Sequence, residues 1–278
     1  MRSCDEEDGV KGRSPWPRSG VPKNSKNPAL QVITFDFWST LVDGRVTPGR
    51  TAERLARLHR ALVGAGHACT PDELQQAFRR AFDKLSEAAR ETYRDVGPPG
   101  RWAALAHELG VPEGLIPYEV VEHAYEDITL DPLPAAMPHV ETAVRQVKQA
   151  GYRLGVICNT GMAGGRVLRQ VLDRHGLLDF FDVTVFSNEF GWSKPDPRIF
   201  HHTLDALGGR PDEALHVGDL EELDVEGARR AGVPSALYAP NGALDLETQA
   251  DFVVRDWRAF PGQVEAFVTD GIRSEPRA

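Results

Sequence analysis

Two aspartates stand directly after short apolar runs of the kind that form buried strands. Asp36 follows the run at 29–35. Asp219 follows the run at 214–217 after one glycine, and Asp224 lies five residues beyond it. An aspartate at a strand end can act as a nucleophile, as a metal ligand or as a turn former. Carboxylates that converge at a sheet edge also suit a hard cation such as Mg²⁺, which takes oxygen ligands and keeps several waters.

A lysine and a short polar segment complete the candidate set. Lys194 precedes Pro195, and Pro195 and Pro197 stiffen the start of the next predicted helix. A fixed ammonium at this position could neutralise a phosphoryl group or the nucleophile itself. Residues 158–161, Cys-Asn-Thr-Gly, lead into another helix, whose N-terminal amides favour anions. Together with the aspartates, these residues predict one composite site.

Strands and helices alternate from about residue 134 onward, and this alternation decides where the candidates lie. Repeated β–α units imply a parallel sheet with helices on both faces. Ligands of such sheets bind at the carboxyl ends of the strands, which is where the candidates stand. The predicted fold is therefore α/β, with a doubly wound, Rossmann-like parallel sheet. Its strands are predicted at 29–35, 152–158, 183–186, 214–217, 235–238 and 252–254, and its helices at 139–150, 165–175, 197–207 and 226–231.

An all-helical unit interrupts this core after its first strand. Residues 51–127 contain no clear strand, and apolar side chains such as Leu74 and Phe78 recur at helical spacing. Thr70 stands before this run and is followed by the acidic residues Asp72 and Glu73, a pattern typical of a helix start. Residues 98–100, Pro-Pro-Gly, are predicted to break the unit of four or five helices in its middle. The predicted organisation is a flexible tail at 1–28, an α/β core at 29–46 and 134–278, and a helical cap at 47–133.

Composition and charge restrict the partners. The chain has 278 residues, 41% of them hydrophobic, which suffices for a large core. A net charge of −9 argues against broad binding of nucleic acids or anionic membranes. Cys4, Cys69 and Cys158 are far apart and odd in number, which favours a reducing cytosol over a disulfide framework. No apolar run approaches the roughly 18 residues of a membrane span. We expect a cytoplasmic protein whose partner is a small molecule.

Four motifs, in order and at the predicted strand ends, resemble those of the haloacid dehalogenase (HAD) superfamily. The family's motifs are Asp-x-Asp-Gly-Thr-Leu after a strand, a strand ending in Ser or Thr and often Asn, Lys-Pro-Asp-Pro followed by Ile-Phe, and Gly-Asp with a second Asp five residues on. The corresponding segments here are 35–41, 155–159, 194–200 and 218–228. The resemblance extends from about residue 31 to 256, and the helical insertion resembles the family's C1-type cap.

The resemblance implies phosphoryl transfer on a small phosphorylated molecule. Asp36 would attack phosphorus and form an aspartyl phosphate, with Lys194 and Thr40 completing the catalytic set. The implied Mg²⁺ site is formed by Asp36, the backbone carbonyl of Trp38 and Asp219, and it includes Asp224 in the layer around these ligands or close to it. The implied substrate- or phosphate-binding residues are Trp38, Cys158, Asn159 and Thr160. Metal and lysine would neutralise the charge that spreads over the phosphoryl oxygens.

The sequence departs from the family pattern at three positions. The family's phosphatases carry an aspartate two residues after the nucleophile, which protonates the leaving group and then activates water. Trp38 stands there instead, and loss of a general acid or base typically costs about 10²–10⁴-fold in rate. Ser39 replaces the usual glycine, and Cys158 stands where Ser or Thr is expected. We therefore expect a narrow or slow activity on good leaving groups, such as acyl phosphates or phenolic esters, with Trp38 able to stack on a flat substrate.

Two other functions fit parts of the sequence. A non-catalytic family member that binds a phosphorylated ligand or a protein partner would agree with Trp38 and Cys158. A carbon–halogen hydrolase would also lack the second aspartate, but Asp219 would repel its carboxylate substrate. Because the set of Asp36, Lys194, Asp219 and Asp224 is complete, the leading prediction is a Mg²⁺-dependent phosphohydrolase or phosphotransferase.

Overall fold

Six strands form one parallel sheet in the order β3-β2-β1-β4-β5-β6. They belong to a computed structural model that describes residues 30–45, 49–242 and 246–270, so the predicted tail at 1–28 lies outside the described residues. The first strand is central and the chain winds outward on both sides of it, which confirms the doubly wound α/β fold. The strands are β1 (Val32–Phe35), β2 (Arg153–Cys158), β3 (Val183–Phe186), β4 (Ala214–Gly218), β5 (Ser235–Tyr238) and β6 (Phe252–Val254).

Helices flank the sheet and also form the insert between β1 and β2. Those of the insert are α1 (Arg50–Gly64), α2 (Pro71–Thr92), α3 (Gly97–Leu109) and α4 (Tyr118–Tyr125), followed by a 3₁₀ turn at Asp127–Leu130. Those of the core are α5 (Val140–Gln149), α6 (Gly165–Arg174), α7 (Ser187–Phe190), α8 (Pro197–Leu207), α9 (Glu226–Arg230) and α10 (Phe260–Asp270). The sequence-based prediction omitted α7 and α10. In α10, Pro261 and Gly262 resemble a turn, but a proline in the first turn of a helix is tolerated because its missing N–H has no helical partner there.

Side chains alternate between the two faces of the sheet and build an apolar core on each. On β1, Ile33 and Phe35 pack under α5, α6 and α10. Val32 packs on the opposite face, under α8 and α9. All three are completely buried, and burial of each such side chain contributes about 1.5–3 kcal/mol. The buried strands are thus short apolar runs, as a sheet covered on both faces requires.

The helical insert, defined here as α1–α4, has an apolar cluster of its own that includes Leu58, Leu62 and Leu74. Its second helix begins with a reciprocal cap, in which the N–H of Glu73 donates to the Thr70 hydroxyl at 3.2 Å and the N–H of Thr70 donates to the Glu73 carboxylate at 2.7 Å. The helical unit does break in its middle, but at 93–96 between α2 and α3 and not at 98–100 as predicted. The two prolines lie in the first turn of α3, where their missing N–H groups cost no helical hydrogen bond.

Parallel register brings the strand ends to one edge of the sheet. Phe35 pairs with Val156 on one side and with Val217 on the other. The residues that follow these three strands therefore emerge together, which positions Asp36 between the loops after β2 and β4. Across the described segments, no helix is long and apolar enough to cross a membrane.

Candidate active site

Asp36 is the centre of the candidate site. Its N–H continues the sheet by donating to the carbonyl of Val217 at 2.8 Å. Only 8% of the residue is exposed, and Lys194 Nζ lies 2.5 Å from its Oδ1. Burial and the nearby carboxylates of Asp224 and Asp219 raise the pKa of Asp36 to about 7, although the lysine opposes this shift. A carboxylate held in this way is desolvated and oriented, which suits a nucleophile.

Lys194 joins two carboxylates and a backbone carbonyl. Its ammonium donates to Asp36 Oδ1 at 2.5 Å, to Asp224 Oδ1 at 2.7 Å and to the carbonyl of Ile157 at 2.8 Å, so all three of its hydrogens have acceptors. Burial alone would lower the pKa of Lys194, but the two carboxylates outweigh it and raise the pKa above its ordinary value. The lysine is therefore a fixed positive charge beside Asp36.

Asn159 holds the backbone of this lysine from the neighbouring loop. Its Nδ2 donates to the carbonyl of Lys194 at 2.9 Å, and its Oδ1 accepts from the N–H of Lys194 at 2.8 Å. Both ends of the amide are thus engaged with one residue. In this arrangement Asn159 positions the lysine, and its predicted contact with phosphate stays a prediction.

Three carboxylates lie close enough together to hold a metal ion. Asp36, Asp219 and Asp224 each offer an oxygen, and these oxygens all lie within 4.8 Å of one another. Burial, together with the charge of Asp224, raises the pKa of Asp219 to about 6. Burial is the largest cause of the raised pKa values at Asp36 and Asp219, and a bound cation would favour the charged form of both carboxylates. Because all the donors are hard oxygens, the cluster fits Mg²⁺.

Asp224 is the most strongly engaged of the three carboxylates. Its Oδ1 accepts from Lys194 and lies 3.1 Å from His216 Nε2, and its Oδ2 accepts from the N–H of Leu220 at 3.0 Å. Lys194 and His216 outweigh the effect of burial and lower its pKa. It lies against Gly218, where a Cβ would stand 2.1 Å from its Cγ, so only glycine fits. Protein donors thus hold both oxygens of Asp224 in place, and its predicted role as a metal ligand stays a prediction.

Thr40 and Trp38 lie on the loop that follows Asp36. The hydroxyl of Thr40 donates to Asp219 Oδ1 at 3.4 Å, which orients that carboxylate. The Trp38 ring is half-buried and packs edge-on against Phe37, with ring centroids 4.8 Å apart. Its side chain cannot donate or accept a proton as an aspartate does. The predicted roles of Thr40 in catalysis, and of Trp38 in metal and substrate binding, stay predictions.

Ser39 adopts the left-handed backbone conformation, with φ of 57°. This conformation costs an L-residue about 1–2 kcal/mol and costs glycine almost nothing. This low cost explains why the family motif has glycine at this position. The chain keeps the same turn with serine, closed by a bond of 2.6 Å from the N–H of Ser39 to the carbonyl of Val42.

Protein groups surround the side chains of Cys158 and Thr160. The Cys158 thiol is completely buried in the apolar core, and burial raises its pKa. The Thr160 hydroxyl donates to Asp95 Oδ2 at 2.8 Å, and the N–H of Thr160 donates to the Ser187 hydroxyl at 2.8 Å. Neither side chain is left free by these contacts, so their proposed binding of phosphate stays a prediction.

Asp95 of the helical insert is a residue that the sequence-based prediction missed. It accepts from Ser187 at 2.5 Å and from Arg101 at 2.7 Å, and Arg101 also donates to the carbonyl of Thr160 at 2.9 Å. The insert is thereby anchored to the loops after β2 and β3. No local pattern identifies Asp95, because its partner Ser187 is 92 residues away in the chain.

A cleft of about 860 Å³ lies between α2 and the core. The insert contributes Phe82, Arg90 and Tyr93 to its walls, and the core contributes residues 193–195 and 221–223. The cleft reaches the loop that carries Lys194. A volume of this size accommodates a small organic molecule.

Comparison with known proteins agrees with this geometry. A family model described as haloacid dehalogenase-like hydrolase matches residues 30–232. The haloacid dehalogenase-like hydrolase domain-containing protein 3 of Bos taurus is 30% identical over 222 residues, which cover 78% of this chain and 84% of that protein. The glyceraldehyde 3-phosphate phosphatase of Methanopyrus kandleri is 32% identical over 239 residues, which cover 82% of this chain and 92% of that protein.

Solved structures share the fold. A 2-haloacid dehalogenase from Pseudomonas syringae is 25% identical with a TM-score of 0.61, covering 85% of this chain and 98% of that one. A HAD phosphatase from Thermococcus onnurineus, at 22% identity and a TM-score of 0.58, covers 84% of this chain and 98% of that one and shows the fold alone. The motif resemblance is therefore confirmed: this chain belongs to the haloacid dehalogenase-like hydrolase family, whose members include named phosphatases, and it is a hydrolase.

Proposed function

We propose that the protein is a Mg²⁺-dependent phosphohydrolase that acts on a small phosphorylated compound through an aspartyl phosphate at Asp36. The observation that carries the proposal is the buried charge cluster at the sheet edge. In it Lys194 holds Asp36 at 2.5 Å, and Asp219 offers a second carboxylate within 4.8 Å. An oriented carboxylate, a fixed cation and a hard-oxygen metal site are the parts that phosphoryl transfer needs.

The reaction would proceed in two displacement steps. In the first, a bond forms between an Asp36 oxygen and phosphorus, and the bond from phosphorus to the leaving-group oxygen breaks. In the second, water attacks phosphorus, the bond to Asp36 breaks and restores its carboxylate, and both hydrogens of the water leave on inorganic phosphate. Lys194 keeps Asp36 in place and neutralises part of the phosphoryl charge in both steps.

The metal would be held by Asp36, Asp219 and the backbone carbonyl of Trp38, and when bound it would neutralise charge on the phosphoryl oxygens. Asp224, whose oxygens accept from protein donors, would support the site through Lys194. The organic part of the substrate would occupy the cleft beside α2. A cytoplasmic location remains part of the proposal.

Trp38 restricts the substrates that this site can cleave. Because its ring supplies no proton, the leaving group must depart as an anion. Acyl phosphates and phenolic phosphate esters have leaving groups that tolerate this, whereas alkyl esters do not. We therefore propose that the natural substrate has a good leaving group.

The structural likeness to a 2-haloacid dehalogenase supports a second candidate, a carbon–halogen hydrolase. In that reaction Asp36 would attack carbon, and halide would leave without a proton. Asp219 opposes this candidate, because a second carboxylate in the site repels an acid substrate.

Purified wild-type protein distinguishes these functions directly. Acetyl phosphate and p-nitrophenyl phosphate are each incubated with Mg²⁺ and with EDTA, and 2-chloropropionate is tested for chloride release under both conditions. We expect phosphate release with Mg²⁺, loss of that release in EDTA, and no chloride. Metal-independent chloride release would favour the carbon–halogen hydrolase, and absence of both products would favour a binding protein.

Replacement of Trp38 by aspartate is expected to raise kcat on alkyl phosphates by about 10- to 100-fold, the lower part of the range for general acid–base catalysis. Trp38→Asn is the matched control, because it removes the same ring packing against Phe37 and supplies no proton. The gain should be smaller for p-nitrophenyl phosphate, whose leaving group needs no acid. Equal rates of the two variants on glycerol phosphate would contradict the prediction.

A further inference from the structure

Two polar side chains are buried in the apolar core under α8 and α9. Thr34 on β1 is 1% exposed, and His216 on β4 is 0% exposed. Thr34 Oγ1 lies 2.9 Å from His216 Nδ1, and His216 Nε2 lies 3.1 Å from Asp224 Oδ1. The Phe200 ring packs edge-on against the imidazole, with centroids 5.0 Å apart. A chain of hydrogen bonds therefore runs from the interior of the sheet to the candidate site.

The donors and acceptors of this chain are determined by its last member. Lys194 donates to Asp224 Oδ1, so this oxygen is an acceptor. His216 must then carry its hydrogen on Nε2, because that nitrogen faces the same oxygen. In the uncharged ring Nδ1 is the acceptor, and the hydroxyl of Thr34 is its donor. The chain thus has one direction, from Thr34 through His216 to Asp224.

We propose that Thr34 and His216 are positioning residues that set the orientation of Asp224 and, through Asp224, hold Lys194 against Asp36. The inference rests on the proposed function, because it concerns the nucleophile of that reaction. It names a role for two residues that touch neither substrate nor metal.

The geometry at Asp224 supports this role. Its Oδ2 is held by the backbone N–H of Leu220 at 3.0 Å, and its Oδ1 is held by His216 from the rigid sheet. Two fixed donors define the plane of the carboxylate. Without the donor from His216, Oδ1 would be held only by Lys194, which also donates to Asp36 and to the carbonyl of Ile157. The lysine would then lose its fixed geometry.

A merely structural role makes a different prediction. Replacement of a buried hydrogen-bonded pair by apolar groups of similar shape can leave stability almost unchanged. A structural role therefore predicts changes in folding that follow size and polarity, with an unaltered kcat in the folded fraction. A positioning role predicts a loss of kcat that a donor at the Nε2 position restores.

Substitutions at His216 separate the two roles. His216→Met and His216→Gln have nearly the same length, but only glutamine can donate to Asp224. We expect His216→Met to lower kcat on p-nitrophenyl phosphate by about 10- to 100-fold, as for a lost hydrogen bond to a charged group, with KM changed less than about threefold. His216→Gln should recover most of this loss. Equal kcat of the two variants, corrected for folded fraction by thermal melting, would overturn the proposal.

Thr34 provides an independent arm of the experiment. Thr34→Val keeps the shape of the side chain and removes the hydroxyl donor, whereas Thr34→Ser keeps the donor. We expect valine to lower kcat by about 3- to 10-fold and serine to recover it, since the hydrogen bond lost is between uncharged groups. A valine variant as active as the wild type would contradict the proposal.

A spectroscopic readout does not depend on turnover. In protein labelled with ¹⁵N-histidine, His216 should carry its hydrogen on Nε2, and Thr34→Val should change its ¹⁵N shifts. A hydrogen on Nδ1 would overturn the proposal even in an active enzyme. The expected tautomer in a protein without phosphatase turnover would instead overturn the proposed function and support the hydrogen-bond chain.

Discussion

Replacement of Asp36 by asparagine is expected to lower the rate of phosphate release by at least about 10³-fold, as for removal of a catalytic nucleophile. The amide has the shape of the carboxylate but cannot form the acyl phosphate. Lys194 keeps Asp224 and the carbonyl of Ile157 as acceptors, so the fold around the site should persist. The assay is steady-state turnover of p-nitrophenyl phosphate with Mg²⁺.

The same substitution should not destabilise the metal-free protein. Burial and nearby carboxylates raise the pKa of Asp36 to about 7 in the folded state, well above its ordinary value. Folding therefore opposes the ionisation of Asp36. The contribution of this residue to the free energy of unfolding falls as the pH rises from its ordinary pKa towards 7. Asparagine has no such dependence. In EDTA, the melting temperature of Asp36→Asn should equal or exceed that of the wild type, by a margin that widens between about pH 5 and pH 8.

One result would contradict the predicted loss of turnover in Asp36→Asn, and another would contradict its predicted stability. Retention of more than about a tenth of the wild-type turnover would exclude Asp36 as the nucleophile. A lower melting temperature in EDTA at pH 8 would mean that the ion pair with Lys194 outweighs the cost of burying the carboxylate.

Replacement of Lys194 by methionine is expected to lower the free energy of unfolding by about 3–5 kcal/mol, because it leaves buried charges without their partner. Asp36 and Asp224 would face each other without the ammonium that now bridges them. Turnover should fall by at least about 10²-fold through the loss of a fixed charge at the phosphoryl group. Urea denaturation and p-nitrophenyl phosphate turnover measure the two effects.

Lys84→Met is the matched control on the helical insert. Lys84 forms an ion pair with Glu108 at 2.6 Å, but its side chain is 71% exposed. An exposed pair contributes only about 0–1 kcal/mol, so this variant should keep nearly full stability and activity. Similar losses at both lysines would show that burial of the Lys194 pair is not what makes it important.

The pH dependence of Lys194→Met follows from the same charges. Lys194, with His216, now lowers the pKa of Asp224, so its removal should raise that pKa. Protonation at lower pH then relieves the unpaired carboxylates, and the loss of stability should shrink as the pH falls from about 8 to 5. A loss that is constant over this range would contradict the electrostatic explanation.

Local patterns were sufficient for most of the core. Strands β3, β5 and β6 and helix α8 have the predicted bounds, because a short apolar run or a helical period between turn residues specifies each of them. The predicted break in the helical unit lies at 93–96 and not at 98–100, because the two prolines belong to the first turn of α3. The predicted boundary between residues 46 and 47 lies outside the described residues.

The sequence by itself determined the types of the reactive residues and their placement at strand ends. Asp36 follows a buried strand and Lys194 precedes a proline-stiffened helix, and both facts are local in the chain. Parallel strands then bring their carboxyl ends to one edge, so convergence of the site could be predicted without knowledge of any contact.

The tertiary structure alone decided which groups these residues touch. Thr34 and His216 are 182 residues apart, and their hydrogen bond exists because β1 and β4 pair in a register that places them side by side. The contact of Asp95 with Ser187 requires the helical insert to dock on the core. Local sequence patterns do not predict such contacts, because they arise from the register of the strands and from the packing of the helical insert on the core. The contacts that orient Asp224, and through Lys194 those of Asp36, are therefore a property of the folded sheet.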